Sequence, residues 1–388
     1  DWCFKTEPDP GLNQRSIHYA RGRVIGGSSS INAMIYMRGQ ASDYARWAEL
    51  TGDARWAWDT TLKTYKSLEN YFAGANAWHG DQGEMRVEQP RVQWEILDAW
   101  RKAAQEQGTP SIEEFNRGNN EGCAYFQMTQ KKGVRWSMAD AYLHPIRHRQ
   151  NLTILTKAQV LHLNLIPTQP QTQNNPQQQK NAWYGAAWEV SGLDLLHAGS
   201  RVTAHAKDQV ILSAGSIGSP QLLQVSGIGA HHHLDAIGVK TKVDLSGVGE
   251  NLQDHLQIRT VYQVENCKTV NTLYKNWFTR IGMGLEYAFK RTGPLTMPPS
   301  TLGAFTKSDP SQPTANIEWH VQPLSLPKFG EPLHPFNAIT PSVCNLRPSS
   351  RGWVRAKSAD AQIDPQIQCN YLSTPEDLKV AVDSLRIT

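Results

Sequence analysis

The stretch from residue 208 to residue 227 constrains the fold more than any other part of this chain. Val210-Ile211-Leu212 is a short apolar run of the kind found in a strand buried on both faces. Ser213-Ala214-Gly215-Ser216-Ile217-Gly218 follows as a turn of small residues. Ser219 then reads as a helix N-cap, Pro220 as the first helical residue and Gly227 as the stop. Strand, small-residue turn and helix in that order is α/β grammar.

The remaining segments fill in a two-lobed chain of 388 residues. Gly26-Gly27 predicts a tight turn, after which a serine of Ser28-Ser29-Ser30 caps a helix carrying Ile31, Met34 and Ile35 on one face. Residues 94–107 predict a helix with Ile96, Leu97, Trp100, Ala103 and Ala104 at helical spacing, stopped by Gly108 and Pro110. Trp47, Trp56, Trp58, Tyr65 and Tyr71 suggest a packed aromatic core. Residues 151–165 suggest strands, with Ile154, Val160 and Leu163 pointing inward. The polar, Pro-broken run 168–179 reads as a flexible loop, with strand pattern resuming at Trp183–Val190. Residues 262–350 read as mixed strand and loop. The chain closes on a helix capped by Thr374, with Pro375 next, Asp377 three positions on, and an apolar stripe of Leu378, Ala381, Val382 and Leu385.

Composition narrows the function. The net charge of +4 is spread without a dense basic block, which argues against nucleic acid as a partner. The five cysteines are scattered and form no CxxC pair, a pattern of free thiols rather than of a disulfide framework or a zinc site. No apolar run approaches the ~20 residues that a membrane helix needs. No signal peptide is visible, so a cytoplasmic location is expected.

The Gly26–Ser30 turn is a candidate anion cradle, because glycines admit a ligand to the backbone and a helix start favours phosphate. It is neither a P-loop nor a nucleophile elbow. Other residues have plainer readings. His231-His232-His233 point in different directions and read as a solvated segment, and His79 reads as a turn residue. His255 follows Asp254, an adjacency that could suggest an acid–base pair.

Several longer motifs occur in one order. Gly22 to Gly39, with Asn32, Met34, Tyr36 and Arg38-Gly39, resembles the first signature of the glucose–methanol–choline (GMC) oxidoreductases. Ala214 to Gly229 resembles the second. Gly247-Val248-Gly249-Glu250-Asn251-Leu252-Gln253-Asp254-His255, Ser349-Ser350-Arg351-Gly352 and Asn370-Tyr371-Leu372 resemble later landmarks of that family. The resemblance implies an α/β fold (α+β overall). A partial, Rossmann-like FAD-binding domain would take residues 1–45 and 150–260. A substrate domain with a mainly antiparallel sheet and flanking helices would take 46–149 and 261–388.

It further implies FAD-dependent oxidation of an alcohol to an aldehyde or ketone, with hydride passing to flavin N5 and oxygen or a quinone-type carrier as electron acceptor. Val24, Gly26, Gly27 and Ser28 would follow the pyrophosphate and ribityl chain. Asn32, Ala33 and Met34 would approach the isoalloxazine, Val160 the adenine, and Ala214 and Gly215 the adenosine half, with Ile35 also among the cofactor-binding residues. For His255 the resemblance implies a structural, flavin-side role instead of acid–base work with Asp254. Ile31 occupies the position where some members carry a flavin-linked His, so non-covalent FAD is expected. Met297–Phe305 lacks the Glu of a choline-type pocket, which favours a neutral alcohol. No GxGxxG occurs, and the family's catalytic His segment has no counterpart before Thr388. The chain is therefore expected to be truncated at both ends, without catalytic residues of its own and inactive alone; a non-catalytic remnant without FAD is the alternative.

Overall fold

The structure, a computed structural model, describes residues 1–168, 188–328 and 330–388. Its largest element is a six-stranded antiparallel sheet. Gln257–Arg259, Ala338–Asn345, Ile317–Gln322, Leu302–Thr306 and Gly122–Tyr125 lie side by side, and Tyr262–Gln263 also pairs with Ala338–Asn345. The central strands are buried along nearly their whole length because both faces of the sheet are covered, and their polar residues, such as Glu318 and Gln322, are buried with the apolar ones. On one face Leu302, Ala304, Trp319, Val321 and Val343 pack under Leu97 of the helix Glu95–Glu106, under Trp94 just before it, and under Val380 of the helix Pro375–Ile387. On the other, Phe305, Phe115, Phe126, Ala124 and Met128 form a second core. Gly303 faces that core so closely that a Cβ there would sit 2.0 Å from the Phe126 ring.

A second, three-stranded antiparallel sheet has Trp188–His197 between Ala158–Pro167 and Ser200–His205. The helix Gly215–Val225 packs on it through Leu222 and Val225 against Leu163. The Ser226 hydroxyl locks the joint by accepting from Leu163 N at 2.8 Å. The N-terminal strands Phe4–Lys5 and His18–Tyr19 share a core with Ile217, Val354, Ile367 and Tyr371. Asp9, which is buried, accepts from Tyr371 N at 3.0 Å and ties the start of the chain to residues 370–372.

Several sequence expectations hold. The helix predicted over 94–107 spans Glu95–Glu106, Leu163 is buried, and Thr374 caps the last helix by accepting from Asp377 N at 3.2 Å. The mainly antiparallel sheet with flanking helices is present. All five cysteines are free thiols.

Others are corrected. Val210–Leu212 joins no ladder and Ile211 is 78% exposed, because no strand lies beside this segment among the described residues. The following helix starts at Gly215 rather than at Pro220, so Ser219 is not its cap and Pro220 sits inside it. Only a short 3-10 turn, Gly27–Ser30, follows the diglycine. No helix carries Ile31, Met34 and Ile35, since the Asn32 side chain takes the Met34 N–H and Met34 turns left-handed at φ 58°. Ile154 is exposed, as are Trp47 and Trp56, so the aromatic cluster is only partly a core. The region 262–350 contains two helices, Val270–Lys275 and Trp277–Lys290. In the final helix the expected stripe points outward, with Leu378, Val382 and Leu385 exposed, while Asp377, Val380 and Ser384 are buried. The expected loop 169–179, and the start of the strand expected from Trp183, lie outside the described residues.

Candidate functional site

The two small-residue bends meet. Gly27 and Ser28 of the first, and Ser213 to Gly218 of the second, line one cavity of about 510 Å³. Val160 and Gln159 of the strand Ala158–Pro167 form its wall, with Trp2, Arg21 and Asp364 at its margins. An adjoining cavity of about 980 Å³ shares Trp2, Gly22, Gln159 and Asp364 and extends the groove past Arg23, Val24 and Ile25.

Local geometry explains why glycine occupies both bends. Gly27 has φ 56° and Gly215 φ 82°, the left-handed region where other residues are strained. A Cβ at either would meet nothing within 4 Å, so the backbone itself borders open space. Gly22 packs on the first bend from beneath, where a Cβ would lie 2.2 Å from the Gly27 carbonyl group. The helix Gly215–Val225 begins at Ala214 without any side-chain cap, so its leading N–H groups are unclaimed by side chains.

The expected site residues therefore divide. Gly27, Ser28, Val160, Ala214 and Gly215 border one groove and Val24 its extension. Gly26 lies behind, against Ser30 and Ala139. Asn32, Ala33, Met34 and Ile35 line neither cavity. Ala33 is exposed, Met34 is buried, and Ile35 bridges Met128.

Arg135 is a residue that sequence reasoning missed. Its guanidinium donates to Asn32 Oδ1 at 2.8 Å and to the Ser29 carbonyl at 3.2 Å, holding the end of the serine turn. Burial pushes its pKa down. No spacing in the sequence connects Arg135 with Asn32; the hairpin Gln130–Arg135 brings them together. His255 does not pair with Asp254. Its Nε2 bonds the Leu346 carbonyl at 3.1 Å, while Asp254 accepts from the Tyr371 hydroxyl. Burial, then the Asp254 charge, raises the Tyr371 pKa.

His79 is not a plain turn residue. It is fully buried, stacked on Tyr71 at 3.8 Å, with Nδ1 3.0 Å from Glu69 and Nε2 3.5 Å from Glu114. Burial alone would lower its pKa, but hydrogen bonds and charge from Glu114 and Glu69 outweigh this and raise it. Among the described residues no group of three or more His, Cys, Asp or Glu side chains is arranged to hold a metal ion.

Residues 9–257 match the family model described as GMC oxidoreductase. The chain belongs to the GMC oxidoreductase family. An alcohol dehydrogenase [acceptor] of Pseudomonas putida is 36% identical over all of this chain and 67% of its own length. The mitochondrial choline dehydrogenase of Homo sapiens is 34% identical over 98% of this chain and 60% of its own length. The chain thus spans about two thirds, or less, of these GMC relatives. The crystal structure of pyridoxine 4-oxidase from Mesorbium loti superimposes with a TM-score of 0.82 at 29% identity, over 100% of this chain and 68% of that one. No helix among the described residues is long and apolar enough to cross a membrane.

Proposed function

We propose that the protein oxidises a primary or secondary alcohol to an aldehyde or ketone with FAD as the hydride acceptor, and that this chain supplies the cofactor groove. The carrying observation is convergence: two glycine bends far apart in sequence share one cavity, and both lie within residues 9–257, the part that matches the family model.

The residues fit such a cofactor. The open left-handed glycines Gly27 and Gly215 leave room for a ligand against the backbone, which any side chain there would fill. The uncapped helix start at Gly215 favours negative charge and suits the pyrophosphate half of a dinucleotide. Val160 gives the same groove an apolar wall for an adenine ring. Arg135 positions the serine turn through Asn32 and Ser29. When bound, FAD supplies the electron sink for the departing hydride. On this reading residues 1–45 and 150–260 serve the cofactor, and 46–149 with 261–388 serve the substrate.

Two finer readings follow. FAD is held non-covalently, because the position beside Asn32 is Ile31, an exposed aliphatic side chain with no nucleophilic atom. The alcohol is neutral, because Met297–Phe305 carries no carboxylate to face an ammonium group.

Two measurements test this in the full-length protein. Gly215→Val fills the groove at an open left-handed position, and FAD affinity should fall by about ten-fold or more. Unchanged affinity refutes the groove assignment. Gly27→Val should act likewise, which separates loss of the groove from strain at one bend. Acid precipitation of the holoprotein should leave flavin in the supernatant; a yellow pellet contradicts the non-covalent reading.

A further inference from the structure

We propose that the helix Trp277–Lys290 is a docking face for the surface of an anionic lipid bilayer. The inference is independent of the flavin reading. It rests on an amphipathic helix turned with its apolar face to solvent and on the sign of the charges around it.

Phe278, Ile281, Leu285 and Phe289 follow one another at offsets of three or four, so they share one side of the helix, and Trp277 extends that side. All five are exposed, Phe289 by 84%. The residues between them on that side are Gly282 and Ala288, so the outward face carries no charge. The inward face is the mixed one. Met283 is buried, and Glu286, the one acidic residue of the helix, accepts from Thr292 Oγ1 at 2.8 Å. Ordinary surface helices have the opposite arrangement. Exposed contiguous apolar area of this kind marks an interaction site.

The rim is basic. Lys275, Arg280, Lys290 and Arg291 flank the stripe, with Arg280 over the exposed Tyr274 ring at 5.1 Å and Arg291 over Tyr287 at 4.5 Å. The turn carrying Lys131, Lys132 and Val134 approaches the end of the helix, where Gly133 packs against the Arg291 carbonyl. Arg91 also donates to that carbonyl at 3.3 Å, but it is paired with Glu88 at 3.7 Å and adds no surplus charge to the rim. Val134 and the nearby Leu295 add exposed apolar surface. Trp and Phe on one face, with Lys and Arg at the edges and no free acid, is the composition of a helix lying in a lipid interface. Anionic headgroups attract the rim while the apolar face sinks below it.

The final helix supplies an internal contrast. Its outward Leu378, Val382 and Leu385 are also apolar, yet Lys379 is paired with Asp309 and Asp383, and Arg386 with Asp383. That face presents no surplus of positive charge and fits a protein partner better than an anionic bilayer.

The test is co-sedimentation with vesicles of phosphatidylcholine containing phosphatidylglycerol. The protein should pellet with them, less so in pure phosphatidylcholine and less so in high salt. Phe278→Ser/Leu285→Ser/Phe289→Ser should reduce binding by about ten-fold or more. Should that triple variant misfold, Phe289→Ser alone carries the test, since that side chain supports nothing inside. Leu378→Ser/Val382→Ser/Leu385→Ser should pellet like the parent. The proposal is overturned if the parent stays in solution or if the two triple variants exchange behaviour. A concentration-dependent dimer that the first triple variant abolishes, without any vesicle binding, also overturns it and assigns the face to a second copy.

Discussion

Glu69→Ala should destabilise the protein by about 3–5 kcal/mol, the cost of leaving a buried charge without its partner. Glu69 and Arg38 are both wholly inaccessible, and the guanidinium meets the carboxylate at 2.9 Å. The same carboxylate receives His79 Nδ1 and the backbone N–H of Gly80 at 3.1 Å. Arg38 also donates to the Trp78 carbonyl at 2.7 Å, so one ion pair closes the 76–80 loop over the strand Glu69–Tyr71. Glu69→Gln keeps the shape but not the charge and should cost less than the alanine. A chemical denaturation midpoint read by tryptophan fluorescence measures both. Alanine within about 1 kcal/mol of the parent would mean that the pair is not isolated from water.

The same cluster sets a pH dependence with two limbs. The raised pKa of His79 means that the folded state binds its proton more tightly than the unfolded state does. That contribution is complete below the unfolded value and is lost as pH rises through the folded one. Glu114 works oppositely. Hydrogen bonds from His79, Tyr71 and Arg117 overcome its burial and hold it at about 2. Its contribution is present above the ordinary carboxylate range and fades as pH falls toward 2. His79→Phe should therefore flatten the alkaline limb while retaining the stack on Tyr71.

How much of this was legible in the sequence depends on how local each signal is. The bends at Gly27 and Gly215 were legible because left-handed backbone selects glycine, and that leaves a mark on a few adjacent residues. The capped helix after Thr374 was legible for the same reason. Its orientation was not, because the pattern assigns apolar side chains inward, whereas Asp377 and Ser384 have the buried positions. The helix Trp277–Lys290 was hidden by Gly282 and Gly284, which lower helix propensity, and by an apolar face that covers nothing. The buried cluster left no trace because Arg38, Glu69, His79 and Glu114 come from separate elements, and no spacing links them. Arg135 is hidden likewise: tertiary proximity to Asn32 carries its role.

Asp377→Ala should be the second large effect, because this carboxylate is where the final helix is fastened. It accepts from Ser349 N and Ser350 N, each at 2.9 Å, from Asn345 Nδ2 at 3.1 Å and from the Ser350 hydroxyl. Removing it strands those donors in a buried setting, at about 1–3 kcal/mol for each one left unsatisfied. The resemblance noted at Ser349-Ser350-Arg351-Gly352 has a physical basis in this contact. The two serines provide the donors, and a Cβ at Gly352 would lie 1.9 Å from the Gln368 carbonyl oxygen. Burial raises the Asp377 pKa, but Ser350 and Ser349 more than compensate, so the net shift is downward. Its contribution is thus present above the unfolded carboxylate value and is lost as pH falls through the folded one. Asp377→Asn, which accepts through one oxygen only, should lose that acid limb and lie between the parent and the alanine. Hydrogen exchange locates the damage: amides of Pro375–Ile387 should lose protection in Asp377→Ala before those of Ile317–Gln322 do. Equal loss in both would mean that the helix and the six-stranded sheet open as one unit, and that the carboxylate is not the fastening.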